Sequence, residues 1–184
     1  GEGQVFYADA WRPAAEALDA AGLAPISLVE KEGLAVTNGT DAILGMLCLA
    51  IDDSERLLQQ ADMVTALTVE GLLATDGPFA ADLQALRPQP GQAISAANLR
   101  ALLHDSPIVA SHKIDDSRVQ DAYSVRCTPA VHGAARDTLD HVRRVAGYEL
   151  ASAIDNPMVL PDGRGESCGN FHGAFQSTCV TRPV

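Results

Sequence analysis

The sequence predicts an all-α fold, and three observations support this: its composition, its helix-boundary residues and one long apolar periodicity. Apolar residues make up 47% of the 184 residues, whereas aromatic residues make up only 4%. A core that is poor in aromatic and β-branched residues favours packed helices, because those residue types are enriched in strands. The chain is long enough for one domain with a sizeable core.

The first predicted element is a helix over residues 14–21. Pro13 precedes it and Gly22 follows it, which is the usual asymmetry of helix ends. Pro25 and Gly33 then predict a loop that continues to Gly39.

The strongest periodicity begins after Gly39, where Thr40 or Asp41 can cap a helix that extends to about Ala74. Its apolar residues recur at steps of three and four, which is typical of one helix face: Ile43, Met46, Leu47, Ala50, Leu57, Leu58, Ala61, Val64 and Leu67. Such a helix would be about 50 Å long. It therefore needs long partner helices, either elsewhere in a larger chain or in another subunit.

Proline residues and turn chemistry divide the rest of the chain. The predictions are short helices over 79–86 and 92–104, a mixed region over 108–128, a long helix over 129–154 and a small β-hairpin near 158–168. The sequence shows no domain boundary.

Charge and hydropathy exclude two classes of partner. The formal net charge of −11 repels a phosphate backbone, so we expect no nucleic-acid partner. The longest apolar run, 42–51, is much shorter than the roughly 20 residues that cross a bilayer, and no signal peptide is visible. We therefore expect no membrane partner.

The four cysteines are far apart and form no C-x-x-C motif. This spacing predicts reduced thiols in a cytoplasmic protein rather than a disulfide scaffold. An alternative is a zinc site built from Cys127, His132, Cys168 and His172, although zinc fingers keep their ligand pairs at tighter spacing.

Three segments contain candidate site residues. Asn38 and Gly39 stand directly before the long helix, where an amide could meet a ligand or simply form part of a loop. Phe171 and His172 follow a glycine in a tight turn near the C-terminus, where Phe171 could wall a pocket.

The third segment, 120–126, combines an amide, a phenol and a guanidinium. Gln120, Tyr123 and Arg126 are three residues apart, so a helical turn would project all three to one side. Arg126 could bind a carboxylate through two parallel hydrogen bonds, and Tyr123 could exchange a proton. The simpler interpretation is a solvated polar face with one extended arginine.

Together these segments resemble the aromatic amino acid lyase family, most closely its histidine ammonia-lyases of actinobacterial type. The resemblance rests on residues 31–40, 69–76, 86–92, 120–127, 155–157 and 169–173, in the family order. It covers 1–174 as a partial central helical lyase domain, and 175–184 forms a divergent tail.

The resemblance implies a long-helix bundle core in a homotetramer whose active sites combine residues of several subunits. It implies conversion of an amino acid substrate, L-histidine, to trans-urocanate and ammonia with the electrophile 4-methylidene-imidazol-5-one, formed autocatalytically from Ala-Ser-Gly. Asn38 would lie beside that group as a catalytic and cofactor-binding residue, and Tyr123 would act in proton transfer. Arg126 would bind the substrate carboxylate, Gln120 would help hold the substrate and Phe171 would line the pocket.

One departure from the family concerns the electrophile. The 184 residues contain no Ala-Ser-Gly triplet, so we expect the chain to be inactive alone. Two alternatives stay open: a phenylalanine or tyrosine ammonia-lyase or aminomutase, and a non-enzymatic helical oligomerisation module.

Overall fold

The computed structural model describes residues 2–181, and it confirms a mostly helical fold. The α-helices are α1 (Ala14–Ala20), α2 (Glu32–Asn38), α3 (Asp41–Gly71), α4 (Ala81–Ala85), α5 (Pro90–Leu102), α6 (Pro107–Ser111), α7 (Tyr123–Arg126), α8 (Thr128–Leu150) and α9 (Ala174–Thr181), and a short 3-10 helix covers Gly77–Phe79. The strands are β1 (Gln4–Tyr7), β2 (Ala10–Pro13), β3 (Met158–Val159) and β4 (Gly165–Glu166). Residue contacts divide the chain into two compact units, Gly1–Gly39 and Thr40–Val184, where the sequence showed no boundary.

The first unit contains a hairpin that the sequence analysis did not predict. Strands β1 and β2 pair antiparallel, with Phe6 opposite Trp11 and their ring centroids 5.8 Å apart. The turn places Ala8 and Asp9 at positive φ, without the glycine that usually marks such a turn. The predicted helix follows directly, as α1.

Helix α2 corrects the prediction that residues up to Gly39 form a loop. The structure makes residues 32–38 helical, with Lys31 before them in the left-handed region. Glu32 stabilises the entry because its carboxylate accepts a hydrogen bond from Val29 N at 2.9 Å. Gly33 is tolerated inside the helix, although glycine costs about 1 kcal/mol there relative to alanine.

The second unit is built around three helices, α3, α5 and α8. As predicted, α3 begins after Thr40, and it ends at Gly71, slightly before the predicted Ala74. Two clusters of buried apolar residues hold the unit together. The first contains Ala66, Val69, Ala74, Phe79, Leu99, Leu103, Val109 and Val125. The second contains Leu44, Leu47, Val142 and Ala146, flanked by Cys48, Ile51 and Cys179.

Helices α5 and α8 touch backbone to backbone at a pair of glycines. A Cβ added at Gly91 would lie 2.2 Å from Gly133 O, and one added at Gly133 would lie 2.3 Å from Gln92 N. The first turn of α5 is also held by Asp137 of α8, whose Oδ1 accepts a hydrogen bond from Gly91 N at 2.8 Å. Only glycine fits at this contact.

A buried carboxylate joins the same three helices. Asp62 of α3 is only 1% exposed, and its Oδ2 accepts hydrogen bonds from Arg136 Nη2 at 2.6 Å and Asn98 Nδ2 at 2.8 Å. His132 Nδ1 lies 2.8 Å from Asp62 Oδ1. Arg136 also donates to Ser95 Oγ at 2.9 Å. The network thus links α3, α5 and α8 to one another by hydrogen bonds.

The predicted C-terminal hairpin is confirmed: β3 and β4 pair antiparallel, with Met158 opposite Glu166. Of the tail 175–184, the described part lies in α9, and residues 182–184 lie outside the described residues. No single helix in residues 2–181 is long and apolar enough to cross a membrane; α2 and α3 meet the criteria of length and composition only when taken together.

Candidate functional site

The centre of the candidate site is α7, a single turn whose two ends bring together Tyr123 and Arg126. The side chain between them, Val125, is buried in the larger apolar cluster and fixes the turn to the core. Tyr123 is 75% exposed, and the guanidinium carbon of Arg126 lies 5.9 Å from the centroid of its ring. A phenol and a guanidinium are therefore presented side by side, as the three-residue spacing predicted.

Gln120 stands apart from this pair. It is exposed and precedes α7, so the helical turn does not include it. Among the described residues, its side chain makes no hydrogen bond to Tyr123 or Arg126.

Asp121 attaches the site to the segment that follows α3. Its Oδ2 accepts hydrogen bonds from Thr75 N at 2.8 Å and from Thr75 Oγ1 at 2.7 Å. Its backbone carbonyl accepts a hydrogen bond from Arg126 Nε at 2.9 Å. The sequence analysis missed both Thr75 and Asp121 as site residues. The available signal was that each lies in one of the motifs that carried the resemblance.

Arg118 adds a second attachment of the same segment to α3. It donates to the carbonyl of Leu72 at 3.1 Å and also to that of Leu73. Its hydrogen bonds to Asp116 lower the pKa of that carboxyl from 3.8 to about 2, and they raise the pKa of Arg118 in return. The segment before α7 is thus held in place by charge as well as by backbone contacts.

The C-terminal motif forms a separate cleft in the same unit. Next to this motif, Asn156 Oδ1 accepts hydrogen bonds from Ser167 Oγ at 3.1 Å and from Cys168 N at 2.9 Å. The cleft has a volume of about 650 Å³, and its lining includes Glu149, Ser152, Asn170 and His172. Phe171 is half-exposed at 51% and is not among the lining residues.

Asn38, the remaining predicted residue, is the last residue of α2 in the first unit. Its side chain is exposed and has no hydrogen-bond partner among residues 2–181. A free side-chain amide offers two donors and an acceptor. It is therefore able to bind a group that carries carbonyl and ring-nitrogen atoms.

The structure does not assemble the alternative zinc site. Within residues 2–181, no three His, Cys, Asp or Glu side chains lie together as metal ligands. His132 is instead paired with Asp62, and Cys168 Sγ donates to the carbonyl of Asp155 at 3.3 Å. None of the four cysteines forms a disulfide in the described part of the chain.

Comparison with known proteins gives consistent results in sequence and structure. The model of the family described as aromatic amino acid lyase matches residues 1–179. A histidine ammonia-lyase of Streptomyces griseus is 57% identical over 175 residues, which is 95% of this chain and 34% of that protein. The chain thus spans about a third of the length of the curated relatives it matches.

Solved structures of related enzymes share the fold. Phenylalanine aminomutase of Pantoea agglomerans superimposes with a TM-score of 0.84 at 32% identity, covering 98% of this chain and 38% of that one. Histidine ammonia-lyase of Trypanosoma cruzi superimposes with a TM-score of 0.81 at 36% identity, covering 98% of this chain and 33% of that one.

Proposed function

Because the chain belongs to the aromatic amino acid lyase family, we propose that it forms the substrate-binding part of a histidine ammonia-lyase. The reaction is the elimination of ammonia from L-histidine to give trans-urocanate. The observation that carries this proposal is the pairing of Tyr123 and Arg126 on α7, in a chain that is 57% identical to a histidine ammonia-lyase.

Arg126 is the residue that binds the substrate carboxylate. Its Nε is engaged by Asp121, whereas Nη1 and Nη2 have no hydrogen-bond partner among the described residues. These two nitrogens form the fork that binds a carboxylate through two parallel hydrogen bonds. Fixing the carboxylate also orients the β-hydrogen and the amine of the substrate. This orientation lowers the entropic cost of reaching the transition state.

Tyr123 is the catalytic residue for proton transfer, next to the bound carboxylate. Because the side chain of Tyr123 is largely exposed, its phenol oxygen is accessible to a substrate. Gln120 helps to hold the substrate from the preceding segment. Phe171, which is exposed and lies outside the lining of the C-terminal cleft, lines the substrate pocket that the subunits of the proposed homotetramer form together.

The electrophile 4-methylidene-imidazol-5-one activates the substrate amine as a leaving group when it is present. It forms from Ala-Ser-Gly, so the triplet has to be supplied from outside the 184 residues, which lack it. Asn38 is the residue of this chain that fits the group, because its exposed amide supplies donors and an acceptor. We also propose a homotetramer and, because the four cysteines form no disulfide among the described residues, a cytoplasmic location.

Two assays test the proposal. The purified chain, incubated with L-histidine, should produce no urocanate absorbance, because it cannot make the electrophile. A chimaera in which this chain replaces the matching third of the Streptomyces griseus relative should produce urocanate. Turnover by the chain alone contradicts the missing electrophile, and a folded chimaera without turnover contradicts the proposed function.

Substitutions in the chimaera test the individual roles. Tyr123→Phe should lower kcat by about 10²- to 10⁴-fold, the usual contribution of a positioned proton-transfer group. Arg126→Lys should mainly raise KM, because lysine keeps the charge but loses the two-point contact. Unchanged kinetics in both variants would rule out α7 as the substrate site.

A phenylalanine or tyrosine lyase or aminomutase is the second candidate, favoured by the fit to the Pantoea agglomerans aminomutase. Supplying the chimaera with histidine, phenylalanine and tyrosine in parallel distinguishes the candidates. A higher kcat/KM for histidine supports the first proposal, and a higher value for either aromatic substrate supports the second.

A non-enzymatic oligomerisation module is the third candidate, favoured by the exposed apolar side chains of α3, among them Met46 at 72% and Leu49 at 70%. A purified chain that elutes from a sizing column as a folded monomer would count against it.

A further inference from the structure

We propose that Thr75 and Asp121 are positioning residues that set the orientation of Arg126, and through it the orientation of the substrate carboxylate. This inference rests on the proposed function, because it concerns the same site. Neither residue contacts the substrate in this scheme. Together they form a relay of hydrogen bonds from the segment after α3 to the guanidinium of Arg126.

The first step of the relay is a fixed carboxylate. The side chain of Asp121 is only 4% exposed, and one of its oxygens accepts both the backbone N–H and the hydroxyl of Thr75. The other oxygen lies 3.7 Å from Arg118 Nη1. A carboxylate that is held by two hydrogen bonds and faces a cation has little freedom to rotate.

The second step links that carboxylate to the site through the backbone of the same residue. The carbonyl of Asp121 accepts the Nε–H of Arg126 at 2.9 Å. Because a guanidinium is planar and rigid, fixing Nε fixes the plane and direction of the two remaining nitrogens. The ring of Tyr123, 5.9 Å from the guanidinium carbon, limits movement on one side.

The positioning role of Thr75 is distinct from a contribution to the stability of the fold. The fold around the site is held by a buried apolar cluster that includes Val69, Phe79 and Val125. Loss of the Thr75 hydroxyl therefore leaves the core intact and removes one hydrogen bond at the relay. We expect the orientation of Arg126 to change more than the free energy of unfolding.

The direct test follows the Nε–H of Arg126 by NMR in the full 184-residue chain. In the unmodified chain this hydrogen should give a resonance that exchanges slowly with water. Thr75→Val, which keeps the side-chain shape, should speed exchange at least fivefold, and Thr75→Ser should restore slow exchange. Ser106→Ala is the control, since it removes a 2.6 Å hydrogen bond to Glu70 outside the relay and should leave the Arg126 signal unchanged.

The kinetic test uses the same variants in the chimaera with the Streptomyces griseus relative. Thr75→Val should raise KM for L-histidine about fivefold to tenfold, with kcat changed less than about threefold, because binding rather than the chemical step is weakened. Thr75→Ser and Ser106→Ala should both behave like the unmodified chimaera.

The outcomes separate the two proposals. If the unmodified chimaera is inactive, the proposed function fails, and the NMR exchange of Arg126 alone decides the positioning role. If the chimaera is active but Thr75→Val changes neither KM nor exchange, the positioning role fails while the proposed function stands. Equal effects of Thr75→Val and Ser106→Ala would also overturn it, because they would indicate a general loss of stability.

Discussion

Asp62 illustrates how single residues hold this chain together. Its carboxylate is almost completely buried, and its partners Asn98, His132 and Arg136 come from two other helices. Burying a charge is unfavourable unless it is paired and hydrogen-bonded. Removing the carboxylate would leave Arg136, whose side chain is only 16% exposed, without its counter-charge.

We therefore expect Asp62→Ala to lower the free energy of unfolding by about 3–5 kcal/mol, the usual cost of breaking a buried ion pair by removing one partner. Urea denaturation of the chain measures this. Asp140→Ala is the matched control, because Asp140 pairs with Arg144 on the exposed face of α8 and such pairs contribute about 0.5 kcal/mol. Similar losses of unfolding free energy in the two variants would show that the buried network stabilises the fold no more than an exposed ion pair does.

The ion pair of Asp116 and Arg118 leads to a prediction about the pH dependence of stability. Hydrogen bonds from Arg118 hold the pKa of Asp116 at about 2, below its ordinary value of 3.8. Because the folded pKa is lowered, the pair contributes to stability above pH 3.8, and that contribution is lost as the pH falls through about 2.

Titration followed by NMR at the Asp116 carboxyl carbon checks this directly. Arg118→Gln should move the midpoint from about 2 towards 3.8. Arg164→Gln, which removes the partner of Asp162 and Glu166 instead, should leave it in place. A midpoint that does not respond to Arg118→Gln would refute the pairing.

At the scale of elements, the close contact of α5 and α8 depends on glycine at both ends of the contact. Gly133→Ala would place a Cβ 2.3 Å from Gln92 N, and no flexible side chain is available to move aside. The helices would have to separate, and overpacking of this kind costs about 1–3 kcal/mol.

The matched control lies on the same helix. Gly147 faces open space, since no atom lies within 4 Å of a Cβ added there. Gly147→Ala should therefore stabilise α8 by up to about 1 kcal/mol, as expected for alanine in a helix interior. Thermal unfolding of both variants gives the comparison; opposite signs are expected, and a stable Gly133→Ala variant would contradict the close approach.

The elements also show where sequence analysis succeeded and failed. The start of α3 was predicted because Thr40, Asp41 and the apolar repeat are local signals. Helix α2 was missed because Gly33 and Gly39 suggested a loop, while the stabilising contact of Glu32 with Val29 N was not visible in the pattern. The β1–β2 hairpin was missed because its turn uses Ala8 and Asp9 rather than glycine.

At the scale of the whole molecule, the exposed apolar surface of α3 determines how the chain associates. Met46 and Leu49 are three residues apart, so they lie on one face of the helix, and both are largely exposed. Contiguous apolar surface of this kind promotes association. The long helix predicted from the sequence therefore retains an apolar face in the second unit.

We expect the purified chain to associate at micromolar concentration and the double variant Met46→Lys/Leu49→Lys to do so less. Sedimentation velocity measures the change, and circular dichroism checks that the helix content is unchanged. The control Gln59→Lys/Gln60→Lys adds the same charge at exposed polar positions of α3. If both double variants reduce association equally, charge rather than apolar surface is responsible.

The sequence by itself determined the helical class, the position of α3 and the residue types of the candidate site, because these depend on composition and on interactions within one or two helical turns. Only the tertiary structure decided which polar side chains meet. Thr75 and Asp121 are 46 positions apart, and Asp62 and His132 are 70 apart. Contacts over such separations depend on how whole helices pack, so no local pattern encodes them. The orientation of Arg126 is therefore set by the packing of the segment after α3 against the segment before α7.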